Sequence, residues 1–194
     1  TLNICPDSTI VTIDDDVLYP RDMLEQLVTE SQAFPGVVIA HRARKIKFFE
    51  MEFSPYCDWE YISTEDVPSV LTIPIGIGGV LYPPNTFHAD VVLDSKFMHL
   101  APNADDIWFK AMSLLNNIEC KKTSDSRSFN SRFLEIPGSQ ASALHYSNLF
   151  GKENDKQIAS VFETYEIGKF FLETLNEKNG NQRAIATLYV RLQE

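Results

Sequence analysis

The sequence predicts an α/β fold with a largely parallel sheet and a helical tail. Two observations carry that expectation. Near the amino end, two short β-rich runs flank a stretch whose apolar residues recur every three or four positions. Farther along, 155–175 has helical spacing in two pieces. The composition agrees: 194 residues, 44% hydrophobic and 23% charged, suffice for one domain with a real core.

The elements follow in order. Residues 9–13 (TIVTI) form a buried-strand run that ends in three aspartates. From Met23, the positions Met23, Leu24, Leu27 and Val28 make one helical stripe, with Pro20 in its first turn and Phe34-Pro35-Gly36 as its stop. Residues 37–40 (VVIA) are a second strand, and strand-helix-strand order predicts a parallel pair. Between 41 and 72 an aromatic cluster, Phe48, Phe49, Phe53, Tyr56, Trp59 and Tyr61, gives no clear periodicity. Residues 74–84 read as a Gly- and Pro-punctuated loop around a short strand. A helix is expected over 105–116, with Ile107, Trp108, Ala111, Met112, Leu114 and Leu115 on its apolar side. Residues 123–131 read as loop, 179–181 as a turn, and 183–192 as either helix or strand.

The formal charge of -10, from 17 basic and 27 acidic residues, argues against nucleic acid and anionic lipid as partners. It also disfavours phosphorylated substrates unless something supplies local positive charge, for which a divalent cation is the natural source. No apolar run approaches the roughly 20 residues of a membrane helix. The start, Thr1-Leu2-Asn3, has no signal-like character. A cytoplasmic setting is expected, and the missing initiator Met suggests a fragment or a processed chain. Cys5, Cys57 and Cys120 are odd in number and widely spaced, which reads as three reduced thiols.

Asp14, Asp15 and Asp16 stand at the carboxyl end of the first strand, where open α/β sheets bind ligands. If the chain stays extended, Asp14 and Asp16 share one face. Two carboxylates that close repel each other, and a divalent cation relieves the repulsion. An oxygen-only donor set selects Mg2+ or Mn2+. The plainer reading is a solvated acidic loop that favours the next helix amino terminus. Asp105-Asp106 likewise reads as a helix cap or as a functional pair. The glycines 76, 78 and 79 read as a tight turn or as a close-approach segment. Trp59 and Tyr82 suit the core or a sugar-stacking face. Arg42, Arg44, Lys45 and Lys47 suit a solvated face or an anion contact. His41, His88, His99 and His145 show no metal spacing.

Several of these stretches, taken in order, resemble a branch of bacterial GT-A glycosyltransferases. They are IVTIDDDVLYP at 10–20, IGIGGVLYPP at 75–84, LAPNADDIWFKAM at 100–112 and KENDKQIASVF at 152–162. The resemblance spans roughly residues 5–165. It implies a partial GT-A domain over 1–165 and a helical tail or extension over 166–194. It places Asp14 and Asp16 on the metal-binding motif, and Asp15 where such enzymes contact the donor sugar or ribose. Asp106 falls on the general base of inverting members and Asp105 beside it. Gly78 and Gly79 fall on glycines that let the backbone approach donor and acceptor. The implied reaction is Mn2+- or Mg2+-dependent transfer from a nucleotide-diphosphate sugar to a hydroxyl of a carbohydrate or lipid-linked acceptor. Cell-surface polysaccharide assembly is the implied setting, with membrane association through the acceptor.

Only 13 residues precede Asp14, so the strand-helix-strand unit that holds the nucleoside in that family is missing from these 194 residues. The chain alone is therefore expected to be inactive, and its first strand to be an uncovered edge open to pairing in a homo-oligomer. Two other readings stand beside this one. A truncated domain would bind acceptor without turnover. A haloacid-dehalogenase-type phosphatase would use Asp14 as nucleophile and Asp16 as acid/base, with Asp105-Asp106 as its late acidic pair.

Overall fold

A computed structural model describes residues 2–5, 7–49, 51–136 and 153–176. His145 and the elements expected at 179–181 and 183–192 lie outside the described residues.

The architecture is mixed α/β. The central sheet has four strands in the order β1 (Ile10–Thr12), β9 (Val80–Tyr82), β3 (Val38–Ala40) and β10 (Cys120–Lys122). Smaller sheets pair β2 (Val17–Leu18) with β11 (Leu134–Glu135), and β5 (Phe48–Phe49) with β6 (Glu52–Phe53). A third aligns β7 (Glu60–Tyr61), β4 (Ala43–Lys45) and β8 (Thr72–Pro74). The helices are α1 (Met23–Ala33), α2 (Asp94–Leu100), α3 (Asp105–Leu114) and α4 (Glu153–Thr164), and a further helical segment covers 167–176.

The central sheet is mixed and not largely parallel. Only β3 and β10 are parallel neighbours; β9 runs antiparallel to both β1 and β3. The strands joined through α1 do run the same way, as the strand-helix-strand order predicts, but β9 lies between them. β9 follows β8, a strand of another sheet, after a single 3-10 turn, Gly76–Gly78. All three residues of β9 are buried, as are those of β3, and such strands belong in the middle of a sheet.

Alternation along these strands feeds two cores. Ile39 and Leu81 face Val17, Met23, Leu27 and Phe133 on the α1 side. Val38, Ala40, Val80 and Tyr82 face the other way, toward Phe87 and Phe109. The largest core packs Ile107, Trp108, Ala111 and Met112 of α3 against Ile158, Val161 and Phe162 of α4 and against Ile167 and Phe171. Two hydrogen bonds bind α4 to the rest. Asp155 accepts the Tyr56 N–H at 2.7 Å, and Gln157 accepts the Asn103 N–H at 2.9 Å, just ahead of α3. Pro20 sits in the turn before α1, where its carbonyl accepts the Met23 N–H at 3.1 Å, and not inside the helix.

Candidate active site

β1 ends at Thr12, and 15–16 form a turn, so the alternation of an extended chain does not govern the aspartate loop. What unites the loop is its field. Partial desolvation raises the proton affinity of Asp14 first, and the negative charges of Asp16, Asp105 and Asp15 raise it further. A backbone contact fixes the loop: the Tyr19 hydroxyl oxygen accepts the Asp14 N–H at 2.8 Å. The Tyr19 ring in turn stands edge-on to Phe133, with centroids 5.8 Å apart.

The second acidic pair opens α3. The helix cap position is Ala104, and no side chain caps there. Asp105 accepts the Asp106 N–H at 3.1 Å, which satisfies one first-turn amide. Asp106 instead reaches across to the Gly-rich turn, where both its oxygens accept the Gly76 N–H, at 3.0 and 3.2 Å. Burial and then the Asp105 charge push the Asp106 carboxyl up to about 8, against the Gly76 N–H and the Arg42 charge, which pull it down.

Gly76 is where the two acidic segments meet. A Cβ added there would lie 3.2 Å from Asp106 Oδ1 and 3.7 Å from Asp14 Oδ1. Gly78 and Gly79 are buried, and the close approach they permit is to the protein's own chain. A Cβ on Gly78 would come within 3.2 Å of the His41 and Arg42 side chains. Gly79 has φ +85°, and its Cβ would meet the Met23 sulfur at 3.3 Å.

Other residues singled out in the sequence serve the core. Trp59 is 1% exposed, with its indole N–H donating to the Ser54 carbonyl at 2.9 Å; Tyr82 is 3% exposed. His41 is buried, 3.0 Å from the Met23 carbonyl, and burial lowers its proton affinity. The thiols of Cys5 and Cys57 are exposed, that of Cys120 is buried, and all three are free.

Tyr19 is the site residue that sequence reading missed. Its signal was present: a loop amide between a strand and a helix needs an acceptor, and a phenol five residues on can supply one.

For a divalent cation, the donor chemistry fits a hard metal but the set is small. The Asp16 charge raises the proton affinity of Asp14, the situation a cation relieves. Yet among the described residues no group of three or more His, Cys, Asp or Glu side chains is arranged to hold a metal. Two carboxylates would hold such an ion only with further oxygens, from water and from the ligand, completing its shell. Among the described residues no helix is long and apolar enough to cross a membrane. No protein-family model matches the chain, and no curated protein matches it.

Proposed function

We propose that these residues form the metal-binding and acceptor side of a partial GT-A-type glycosyltransferase domain. It would transfer a sugar from a nucleotide-diphosphate donor to a hydroxyl of a carbohydrate or lipid-linked acceptor. The observation that carries this reading is the convergence at Gly76. The strand-end acid Asp14 and the helix-start acid Asp106 approach the same small residue from distant parts of the chain.

The roles follow from the environments. Asp14 and Asp16 would hold Mn2+ or Mg2+ against the donor diphosphate. The cation, when bound, supplies positive charge to the leaving diphosphate. Asp106 acts as the general base toward the acceptor hydroxyl. Its raised proton affinity suits that work, because a base is most effective when its pKa lies near the operating pH. The Gly76 N–H holds its carboxylate in place, and Asp105 keeps the start of α3 in register.

The test is a nucleotide-sugar donor screen on the natural gene product with manganese present. Asp106→Asn is expected to lower turnover by about 10²–10⁴ while donor affinity stays nearly intact. Near-normal turnover would assign Asp106 a purely structural role.

A further inference from the structure

The basic run at 42–47 divides sharply in the structure. Arg44 is buried and spends its guanidinium on the carbonyls of Trp59, at 2.9 Å, and Tyr56, at 3.3 Å. Lys45 pairs with Glu65 at 3.2 Å, and Lys47 with Glu60 at 2.7 Å. Arg42 has no carboxylate within ion-pair distance among the described residues. Its guanidinium lies between two rings instead, 4.6 Å from the Tyr61 centroid and 4.5 Å from that of Phe129. The Tyr61 hydroxyl accepts one of its N–H groups at 3.1 Å. Rings over the guanidinium fix its plane and leave the in-plane donors as its means of contact.

The same segment is pressed onto the acidic cleft. The Ile75 N–H donates to the Arg42 carbonyl at 2.9 Å. The turn that carries Gly76 packs closely on this segment: a Cβ on Gly78 would lie 3.2 Å from the Cβ atoms of both His41 and Arg42. Asp106 feels the Arg42 charge, while the charges that act on Asp14, after its partial desolvation, are those of Asp16, Asp105 and Asp15. A cation held by two rings therefore stands on the segment that adjoins the Gly76 turn, where Asp14 and Asp106 meet. A guanidinium held by rings, with no carboxylate partner among the described residues, is suited to an anionic oxygen of a ligand.

We propose that Arg42 binds an anionic oxygen group, carboxylate or phosphate, of the ligand that occupies the Asp14–Asp106 cleft. The sugar-transfer reading supplies the two sources of that group: an acidic sugar of the acceptor, on the Asp106 side, or the diphosphate of the donor. The inference rests on that reading for the ligand's identity only, since binding is measurable without turnover.

The probes are glucuronate, glucose as its neutral counterpart, and pyrophosphate with magnesium. Each is titrated into the 15N-labelled 194-residue chain while the Arg42 Nε–H signal is followed. Glucuronate is expected to shift that signal and glucose to leave it unmoved. Arg42→Gln should weaken glucuronate binding at least tenfold, and Arg42→Lys should recover only part of it, because the charge returns without the planar fork. If the Arg42 dependence falls on magnesium pyrophosphate, the anion is the donor's diphosphate. The inference is overturned if neither anion moves the Arg42 signal, or if both bind Arg42→Gln as tightly as the parent chain. Asp14→Asn, measured in parallel for magnesium alone, reports on the metal assignment separately.

Discussion

Asp106 binds its proton more tightly in the folded chain than in the unfolded one, which ties stability to pH. An ordinary aspartate titrates near 4, and here the carboxyl is pushed up to about 8. Between those values the folded state carries a proton that the unfolded state has released. The contribution of Asp106 to stability is then fully present below about pH 4, falls as pH rises toward about 8, and is lost above. Thermal melts of the metal-free chain from pH 5 to pH 8 should show this decline, and Asp106→Asn should flatten it; a parallel decline in the variant would place its origin elsewhere. Asp14 shifts the same way, so protons compete with any cation it binds. Asp14→Asn or Asp16→Asn is expected to weaken manganese binding at least tenfold by calorimetry, and unchanged affinity in both would remove the metal assignment. Tyr19→Phe takes the acceptor from the Asp14 amide while keeping the ring on Phe133. It should weaken manganese binding several-fold with little change in melting temperature. The acids themselves were legible, since carboxylates at a strand end and at a helix start announce themselves. Tyr19 was not, because its contribution is one hydroxyl oxygen whose partner is main chain.

The turn after β8 depends on glycine for two separate reasons. Gly79 holds φ +85°, a conformation that costs other residues on the order of 1–3 kcal/mol, and its missing Cβ leaves space for the Met23 sulfur. Gly79→Ala should lower the melting temperature by several degrees. Gly76 has ordinary backbone angles, yet an added methyl would press on Asp106 Oδ1. Gly76→Ala should therefore disturb the site more than the fold: turnover and manganese affinity fall while the melt changes little. A melt as damaged as that of Gly79→Ala would show that the turn is only a packing device. The helices α1 and α3 and the two-piece helical run after 153 were readable from apolar periodicity. The direction of β9 was not, because three apolar residues carry no sense of orientation. Nor were β4 to β7, which are two or three residues long. They gain order from distant partners, such as Phe53 against Phe162 with centroids 4.9 Å apart.

β1 ends the central sheet, and no described strand lies beyond it. Among the described residues no strand pairs with its outer side, which is where the sequence places an edge. Among the described residues no strand beyond β1 offers a nucleoside a wall. The 194-residue chain should then hold uridine diphosphate only through metal and phosphate, and submicromolar affinity would reveal a nucleoside pocket elsewhere. Sedimentation over a hundredfold concentration range would show whether a second copy pairs along β1. The opposite flank has a different dependence. α4 lies far along the chain from the aspartates, yet Gln157 anchors the residue two places before Asp105, and Asp155 anchors Tyr56. In genetic terms, the acidic motifs and the information that arranges them occupy separate stretches of the reading frame. A premature stop codon within 137–152 would leave every aspartate of the site encoded and still give a null allele. A screen for loss of function should accordingly recover lesions at 155–171 as often as at the aspartates.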